Sequence, residues 1–140
     1  MNRIGSAPGR VFVDTSAFFA LASSKEATHL RARSVERELR RSRSQLVCTN
    51  YVVAETHALV LGRVSHRIAL DYLRRFQTNE FAVVRADDET EEAARQIIER
   101  YTDKDFSLAD AVSFVVMEML GISTAFTFDE NFRVYGFTTL

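Results

Sequence analysis

Four acidic side chains stand beside strongly apolar segments of this 140-residue chain. The sequence would bury each of them: Asp14 follows a Val-Phe-Val run, Glu55 lies in an apolar helical stretch, Asp110 opens the run 111–120, and Asp129 follows Ala-Phe-Thr-Phe. A buried carboxylate is costly unless its charge is compensated. Four such groups point to a cation shared between them.

Carboxylate oxygens without nitrogen or sulfur ligands select hard cations such as Mg²⁺ or Mn²⁺. Mg²⁺ keeps several waters and binds few carboxylates together with substrate phosphates, so this set of acids indicates phosphodiester or phosphoryl chemistry. Two-ion sites activate a water and stabilise the leaving oxygen of an in-line displacement. Four carboxylates suffice for one tightly held ion and a second that arrives with substrate, and the sequence leaves the number of ions open.

Other kinds of site find no support in the sequence. His29, His57 and His66 lack a ligand spacing with Cys48, which argues against zinc. His57 lies about 200° round the helix from Glu55, so it faces away from the acid. The chain has no G-x-G-x-x-G or G-x-x-x-x-G-K-[ST] loop for a nucleotide cofactor and no G-x-S-x-G elbow. We expect Cys48 to be a small core residue.

Each acid also has an ordinary structural role open to it. Asp14 and Asp129 can be turn residues after strands, and Glu55 can interact with a helix N-terminus. Ser107-x-x-Asp110 fits a capping box, the pattern of a hydroxyl residue and an acid that begins a helix. These separate roles do not explain why all four acids fall at one edge of the expected fold.

Short apolar strands alternate with helices along the sequence. The expected strands are residues 11–13, 46–49, 81–84 and 123–128, with a short fifth at 134–138. The expected helices are 17–22, 26–41, Thr49 or Asn50 to Leu61, one from Ser65 to Phe76, one after Asp87–Glu89, and one from Ser107 to near Gly121. We expect Thr15 or Ser16 to cap the first helix and Gly62 to end the third.

This alternation predicts a single-domain three-layer α/β/α sandwich over residues 1–140, with a mainly parallel central sheet of four or five strands. Ligands of such sheets bind outside the carboxyl ends of the strands. Asp14 and Asp129 fall at that end of their strands. Glu55 lies a turn or so into the next helix and Asp110 lies in the first turn of its helix, so all four can reach the same edge.

The composition fits one folded domain. A hydrophobic content of 46% with a single Pro argues against disorder. One Cys excludes an intramolecular disulfide and favours a reducing, cytoplasmic location. Residues 1–10 lack the apolar core of a signal peptide, and no apolar stretch approaches the roughly 20 residues that span a bilayer, so we expect a soluble protein without a membrane partner.

The positive charge is unevenly distributed. The formal net charge is −1, which does not mark a nucleic-acid binder, yet the basic residues are almost all Arg and six of them fall within residues 31–43. Arg suits bidentate contact with phosphate or carboxylate. This segment is either a solvated helix face with interleaved Glu36 and Glu38 or a surface for phosphate or an acidic partner.

Four segments carry the acids: Val-Phe-Val-Asp14-Thr-Ser-Ala, Thr-Asn-Tyr-Val-Val-Ala-Glu55-Thr-His-Ala-Leu, Asp105-Phe-Ser-Leu-Ala-Asp110-Ala-Val-Ser-Phe and Thr-Ala-Phe-Thr-Phe-Asp129-Glu-Asn-Phe. In their order and rough spacing they resemble the PIN-domain ribonuclease family, most closely the VapC-type toxins of bacterial toxin–antitoxin pairs. The resemblance runs from about Val11 to Gly136. A single motif such as V-D-T-S is weak, but the four together are specific.

The resemblance implies a metal-dependent endoribonuclease that hydrolyses RNA with Mg²⁺ or Mn²⁺ held by the acidic quartet. Asp14 and Asp110 would be the principal metal ligands. Glu55 would hold the same ion directly or through water, and Asp129 would orient water or bind a second ion. Asp105, five residues before Asp110, is a further candidate.

The resemblance also implies supporting residues and partners. Thr15 or Ser16, and Thr127, would hold the carboxylates by hydrogen bonds. VapC-type toxins form homodimers and are silenced by a small antitoxin whose C-terminal segment occupies a groove and brings a basic side chain to the acids. The helix of residues 65–76 would supply the groove or the dimer face, or else part of the core. The alternatives are a stand-alone PIN nuclease in RNA maturation and a binding-only PIN domain. Which RNA is cleaved stays open.

Overall fold

A five-stranded parallel sheet forms the centre of the structure, a computed structural model that describes residues 9–140. Its strands are β1 (Arg10–Val13), β2 (Gln45–Thr49), β3 (Phe81–Val84), β4 (Thr124–Phe126) and β5 (Thr138–Thr139). Their order is β3-β2-β1-β4-β5, and every neighbouring pair is parallel. The prediction of a mainly parallel sheet of four or five strands is confirmed.

β1 occupies the middle of the sheet, between β2 and β4. Phe12 is paired with Val47 on one side and with Ala125 on the other. The chain builds the sheet outward from β1 in one direction and then crosses over to build the other half. Such a reversal opens a crevice beyond the carboxyl ends of the strands, which is where ligands bind in open parallel sheets. Asp14 lies at this point.

Helices cover both faces of the sheet. The described residues form seven of them: α1 (Thr15–Ala22), α2 (His29–Arg41), α3 (Asn50–Arg63), α4 (His66–Phe76), α5 (Asp88–Arg100), α6 (Leu108–Leu120) and α7 (Asn131–Tyr135). α1 packs on α2 and α3, and α3 packs on α4, while α5 packs on α6. Right-handed crossovers place these two groups on opposite faces. α6 is the central helix, since every residue from Ala109 to Met117 is buried.

Most element boundaries agree with the sequence patterns to within a few residues, although two helix ends differ. The helix predicted to start at Glu26 begins at His29. Gly62 does not end α3, which continues to Arg63 with Val64 as its C-cap. A glycine that needs no positive φ costs a helix only about 1 kcal/mol relative to alanine, which packing readily offsets.

The end of the chain departs most from prediction. A fifth strand is present as predicted, but it is the two-residue β5 at Thr138–Thr139, because α7 occupies most of the predicted segment 134–138, at Asn131–Tyr135. The strand predicted to run to Phe128 ends at Phe126. Tyr135 stacks on Phe114 of α6 at a ring-centroid distance of 4.4 Å, so aromatic packing favours a short helix here.

α4 belongs to the core of the subunit. Tyr72 and Phe76 are buried, and both contact Phe18, which also meets Phe81 edge to face at 5.2 Å. Tyr72 and Phe76 therefore belong to the core of the subunit, while Ile68 and Leu73 on the same helix stay partly exposed. Cys48 is also buried, as predicted, and burial raises the pKa of its thiol to about 12.

No helix within residues 9–140 is both long enough and apolar enough to cross a lipid bilayer.

Candidate active site

Asp14 connects the central strand to the first helix. Its backbone N–H donates to the carbonyl of Phe126 at 3.0 Å, which ties the end of β1 to β4. Its side chain accepts a hydrogen bond from Ser16 N at 3.4 Å, so Asp14 is the N-cap of α1. The expectation that Thr15 or Ser16 would be the cap is wrong, because the extended backbone that a cap requires occurs at Asp14 (φ −91°, ψ 160°). Only 6% of Asp14 is exposed.

Two hydroxyl groups hold the Asp14 carboxylate. Ser16 Oγ lies 2.8 Å and Thr127 Oγ1 3.0 Å from Asp14 Oδ2, and the two hydroxyls are 3.1 Å apart. Ser16 Oγ in turn accepts from Phe128 N, and Thr127 Oγ1 accepts from Asp129 N, both at 2.9 Å. This network fastens the first acid to the segment that carries the fourth. It also explains why β4 is short, since residues 127–129 turn toward Ser16.

Asp110 has the helix-capping role that its spacing predicted. Ser107 Oγ accepts from Asp110 N at 3.0 Å, and Asp110 Oδ2 accepts from Ser107 N at 3.1 Å, which completes the capping box of α6. A second donor, Asn131 Nδ2, reaches the same Oδ2 at 3.2 Å. Asp110 is only 9% exposed, so the same residue is both the helix-capping acid and a buried carboxylate.

Glu55 and Asp129 are held more loosely. Glu55 is exposed and accepts a single hydrogen bond, from Thr15 Oγ1 at 3.2 Å. The expectation that it would be buried is wrong, because α3 buries the face that carries Val52, Thr56 and Val60 instead. Asp129 is half-buried, and its Oδ1 accepts from the backbone of the residue two positions later at 2.9 Å.

Each of the four carboxylates has one oxygen bound and one oxygen free. Within residues 9–140, all hydrogen bonds to these side chains go to Oδ2 of Asp14, Oε1 of Glu55, Oδ2 of Asp110 and Oδ1 of Asp129. The bound oxygen fixes the carboxylate, and the other keeps its lone pairs for a ligand. Oxygen donors of this kind fit a hard divalent cation.

The acids influence one another's titration. Burial raises the pKa of Asp14, although the hydrogen bonds from Ser16 and Thr127 oppose the rise. Burial also raises the pKa of Asp110, and the charges of Asp129 and Asp14 add to the effect. Partial burial of the Glu55 carboxylate raises its pKa in the same direction, with further contributions from Asp110 and Asp129. The acids therefore lie near enough to repel each other, and a cation between them would relieve that repulsion.

The carboxylates do not converge into a closed metal cage. In the part of the chain that the structure describes, no three His, Cys, Asp or Glu side chains come close enough together to hold a metal ion as they stand. Mg²⁺ needs no such cage, because it binds through one or two carboxylates and retains several waters. The donor set therefore fits a hydrated hard cation better than a cation ligated fully by protein.

Asp129 lines a small cavity of about 180 Å³ together with Thr127 and Arg133. A cavity of about 510 Å³ lies elsewhere, between α5, α6 and α7, and its lining includes Thr90, Ile97, Met119 and Tyr135 but none of the four acids.

Sequence reasoning treated Asn131 only as part of a turn. Its side chain donates to Asp110 Oδ2, its backbone N–H donates to Asp129 Oδ1, and its side chain also reaches the carbonyl oxygen of Asp105 at 3.5 Å. Asn131 therefore links the third and fourth acids. The Asp-x-Asn spacing could have indicated the contact with Asp129, because this spacing commonly forms a turn closed by the Asp side chain. The Asp105 side chain is exposed and bonds to none of the quartet among the described residues.

Known proteins resemble this chain over most of its length. The PIN domain family matches residues 11–138. The chain is 34% identical over 128 residues to the 23S rRNA-specific endonuclease VapC20 of Mycobacterium tuberculosis, a match that covers 91% of this chain and 95% of that protein. It is 29% identical over 121 residues to ribonuclease VapC26 of the same organism, with 86% of this chain and 87% of that protein covered.

Solved structures share the fold. The crystal structure of Mycobacterium tuberculosis VapC20, described as a sarcin–ricin loop cleaving toxin, superposes with a TM-score of 0.83 at 31% identity and covers 91% of this chain and 96% of that one. FitAcB from Neisseria gonorrhoeae has a TM-score of 0.67 at 14% identity over 93% of this chain and 96% of that one. The second likeness concerns the fold alone.

Proposed function

The chain belongs to the PIN-domain family, and on that premise we propose that it is a metal-dependent endoribonuclease acting through Asp14, Glu55, Asp110 and Asp129. The observation that carries the proposal is the set of four carboxylates at one sheet edge, each with one oxygen bound and one free. Relatives that cover most of the chain are named as an rRNA endonuclease and a ribonuclease, which supports RNA as the substrate.

The buried pair, Asp14 and Asp110, are the residues best suited to bind Mg²⁺ or Mn²⁺ directly. Both are oriented by hydrogen bonds to one oxygen, so little conformational entropy remains to be lost when the ion binds. A bound divalent ion would supply an activated water and charge stabilisation for the leaving oxygen of the phosphodiester.

The remaining residues position the reacting groups. Asp129 is anchored through Thr127 beside Asp14, where its free oxygen can orient the attacking water. Glu55 is exposed, and it would hold the ion directly or through water. Asn131 keeps Asp110 turned toward the edge.

The test is RNA cleavage by the purified protein with Mg²⁺ or Mn²⁺, with EDTA, and after Asp14→Asn. We expect cleavage that requires the metal and is lost in the variant, while Asp71→Asn, an exposed acid on α4, cleaves like the parent. A second readout is thermal unfolding: Mn²⁺ should raise the melting temperature of the parent but not that of Asp14→Asn. Cleavage by Asp14→Asn at the parent's rate would overturn the assignment.

We further propose that the nuclease is a single domain over residues 1–140 that acts in the cytoplasm as the toxin of a toxin–antitoxin pair. The VapC relatives support this role. The proposal includes a homodimer and a small antitoxin that places a cation at the acids, as four repelling carboxylates would favour.

Expression of the parent should arrest growth, whereas Asp14→Asn should not. Co-expression of the small protein encoded beside the gene should relieve the arrest and copurify with the nuclease. Growth unaffected by an active parent enzyme would point instead to the stand-alone nuclease. Sedimentation of the purified protein tests the homodimer.

A further inference from the structure

α2 carries a row of arginines on its outer face. The helix buries Ala32, Val35 and Leu39 against the core. By the ~100° step per residue, Arg33, Arg37 and Arg41 lie roughly opposite that buried face, each four residues from the next. All three are exposed. We call Arg33, Arg37 and Arg41 the arginine row.

The first two members of the row have no acidic partner. Arg33 and Arg37 form no salt bridge with any residue from 9 to 140, and Arg41 contacts only the exposed Glu38 at 3.2 Å. Arg40, on the same helix, contacts both Glu36 and Glu80, so it joins α2 to the segment before β3. Arg40 thus links two elements of the fold, whereas Arg33 and Arg37 face solvent without an acidic partner among the described residues.

Arg41 lies in the last turn of α2, where a cation favours the helix, but Arg33 and Arg37 do not help the helix to form. Like charges four residues apart repel each other. The first turn of α2 contains no acidic residue, and the N-cap, Thr28, makes no side-chain hydrogen bond, so the positive end of the helix dipole is left without compensation. The exposed Arg33 and Arg37 disfavour their own helix and make no packing contact. Binding of a ligand therefore explains their presence better than a contribution to stability does.

The end of the row at Arg41 lies away from the acidic edge. α2 ends at Arg41, four residues before Gln45, which is paired with Arg10 at the start of β1. The acids lie beyond the opposite ends of the strands. Arg33 and Arg41 are eight residues apart, so the row extends over about 12 Å of α2 at ~1.5 Å per residue. A molecule that contacts both places must therefore be long.

We infer that the arginine row binds the phosphate backbone of the RNA substrate outside the catalytic edge, so that the enzyme prefers long or folded RNA to short oligonucleotides. The inference rests on the proposed nuclease function. Guanidinium groups contact phosphate oxygens bidentately. Each neutralised phosphate also releases counterions, which makes the binding strongly dependent on salt.

The test compares two double variants with equal loss of charge. Arg33→Gln/Arg37→Gln removes the unpaired members of the row. The control, Arg74→Gln/Arg95→Gln, removes two exposed arginines that each contact an acid three residues earlier. Both are made in the Asp14→Asn protein, so that binding is measured without cleavage. The probes are a labelled RNA hairpin of about 30 nucleotides and an oligonucleotide of about 6, which spans ~20 Å when stacked, in a series of salt concentrations.

We expect the row variant to bind the hairpin roughly 10- to 50-fold more weakly at about 0.1 M salt, with the slope of log affinity against log salt reduced by about 1.5. The control should change by less than about threefold, and neither variant should alter binding of the short oligonucleotide. With Asp14 restored, the row variant should cleave the short oligonucleotide at the parent's rate. Its melting temperature should equal or exceed the parent's, since a like-charge repulsion is removed.

Several outcomes would overturn the inference. The first is unchanged hairpin binding by the row variant, and the second is an equal loss of hairpin affinity in the control. The third is a row variant that binds RNA normally but no longer copurifies with the antitoxin, which would make the row a protein-binding surface. Failure of the nuclease function is recognised separately. In that case the parent cleaves neither RNA, whatever the row variant binds.

Discussion

The two sides of the acidic edge are built differently. On the strand side, Asp14 is buried and Oδ2 accepts from two hydroxyls and a backbone N–H. On the helix side, Glu55 is exposed and accepts one hydrogen bond of 3.2 Å, from Thr15. The strand side holds its carboxylate in one orientation, whereas the helix side leaves its carboxylate free to adjust.

This difference follows from what strands and helices can fix. The backbone of Asp14 is part of the sheet ladder through its bond to Phe126, so its position is as rigid as the sheet. Glu55 has three side-chain torsions between backbone and carboxylate, and solvent competes for its oxygens. The proposed site, which would bind a metal and then accommodate RNA, can use both kinds of ligand, one preorganised and one adaptable.

The largest expected effect is on the strand side. Asp14→Asn removes the charge but keeps the size, and it should reduce the rate of RNA cleavage by on the order of 10³-fold, because several kcal/mol of charge stabilisation depend on the bound metal. The rate should be measured at saturating Mn²⁺. Circular dichroism of the variant should match the parent's. A loss of cleavage rate smaller than that caused by Glu55→Gln would contradict the greater importance of the strand side.

The hydroxyls that hold Asp14 should matter next. Ser16→Ala and Thr127→Val each remove one donor to Asp14 Oδ2. Residues that orient a metal ligand typically contribute 10- to 100-fold in metal affinity or activity. We expect the concentration of Mn²⁺ at half-maximal cleavage to rise by roughly that factor in each variant. Thr127→Ser keeps the hydroxyl and should retain most of the affinity, so an equal loss in Thr127→Ser would show that packing of the methyl group is responsible.

The strand side was the more predictable of the two from sequence. An apolar run that ends in Asp14 identifies a buried strand end, and Ser107-x-x-Asp110 identifies a cap, because both signals are local. The exposure of Glu55 was not predictable. α3 is apolar on several faces, so its hydrophobic pattern does not reveal that the buried face runs through Val52 and Thr56.

The segment after β4 shows a second limit of sequence reasoning. Residues 131–135 form a helix because Asp129 accepts from Asn131 N and Tyr135 packs on Phe114, which is 21 residues away in sequence. A five-residue helix has too few positions for periodicity to separate it from a strand. The same long-range contacts bring Asn131 to Asp110, which explains why its role was missed.

Glu55→Gln should have a smaller effect than either change on the strand side. The side chain is solvated, and water can replace part of what its carboxylate does. We expect cleavage to fall about 10-fold at low Mn²⁺ and to recover partly when Mn²⁺ is raised. The measurement is a metal titration of cleavage, with Glu55→Asp alongside as a variant that keeps the charge but shortens the reach. If Glu55→Gln lost as much cleavage as Asp14→Asn and did not recover at high Mn²⁺, Glu55 would be as strictly required as Asp14, contrary to the comparison.

The buried carboxylate should also give the metal-free protein a distinct pH dependence. Burial raises the pKa of Asp14 above its ordinary value of 3.8, so the folded state binds the proton more tightly than the unfolded state. The Asp14 contribution to the free energy of unfolding is therefore fully present below pH 3.8 and is lost as pH rises through the raised pKa.

Asp14→Asn lacks this contribution and serves as the control. The free energy of unfolding of the variant minus that of the parent should grow as the pH rises from about 4 to neutral in EDTA. Urea denaturation at several pH values measures this difference. A difference that shrinks as pH rises would mean that Asp14 is stabilised as the anion without any metal, contrary to its burial.

The smallest effect is expected one residue from Glu55, on the buried side of α3. Thr56 is fully buried, and its hydroxyl has no hydrogen-bond partner among the described residues. An unsatisfied buried hydroxyl costs about 1 kcal/mol or more, so Thr56→Val should raise the free energy of unfolding by about 1 kcal/mol and leave cleavage within about twofold of the parent. Thr56→Ser keeps the hydroxyl and loses a methyl group, and it should destabilise the protein by a similar amount. On the proposed assignment, α3 carries a catalytic carboxylate on one face and a structural position on the next. A loss of cleavage in a stable Thr56→Val protein would then show that Glu55 depends on the packing beneath it and is less adaptable than its exposure indicates.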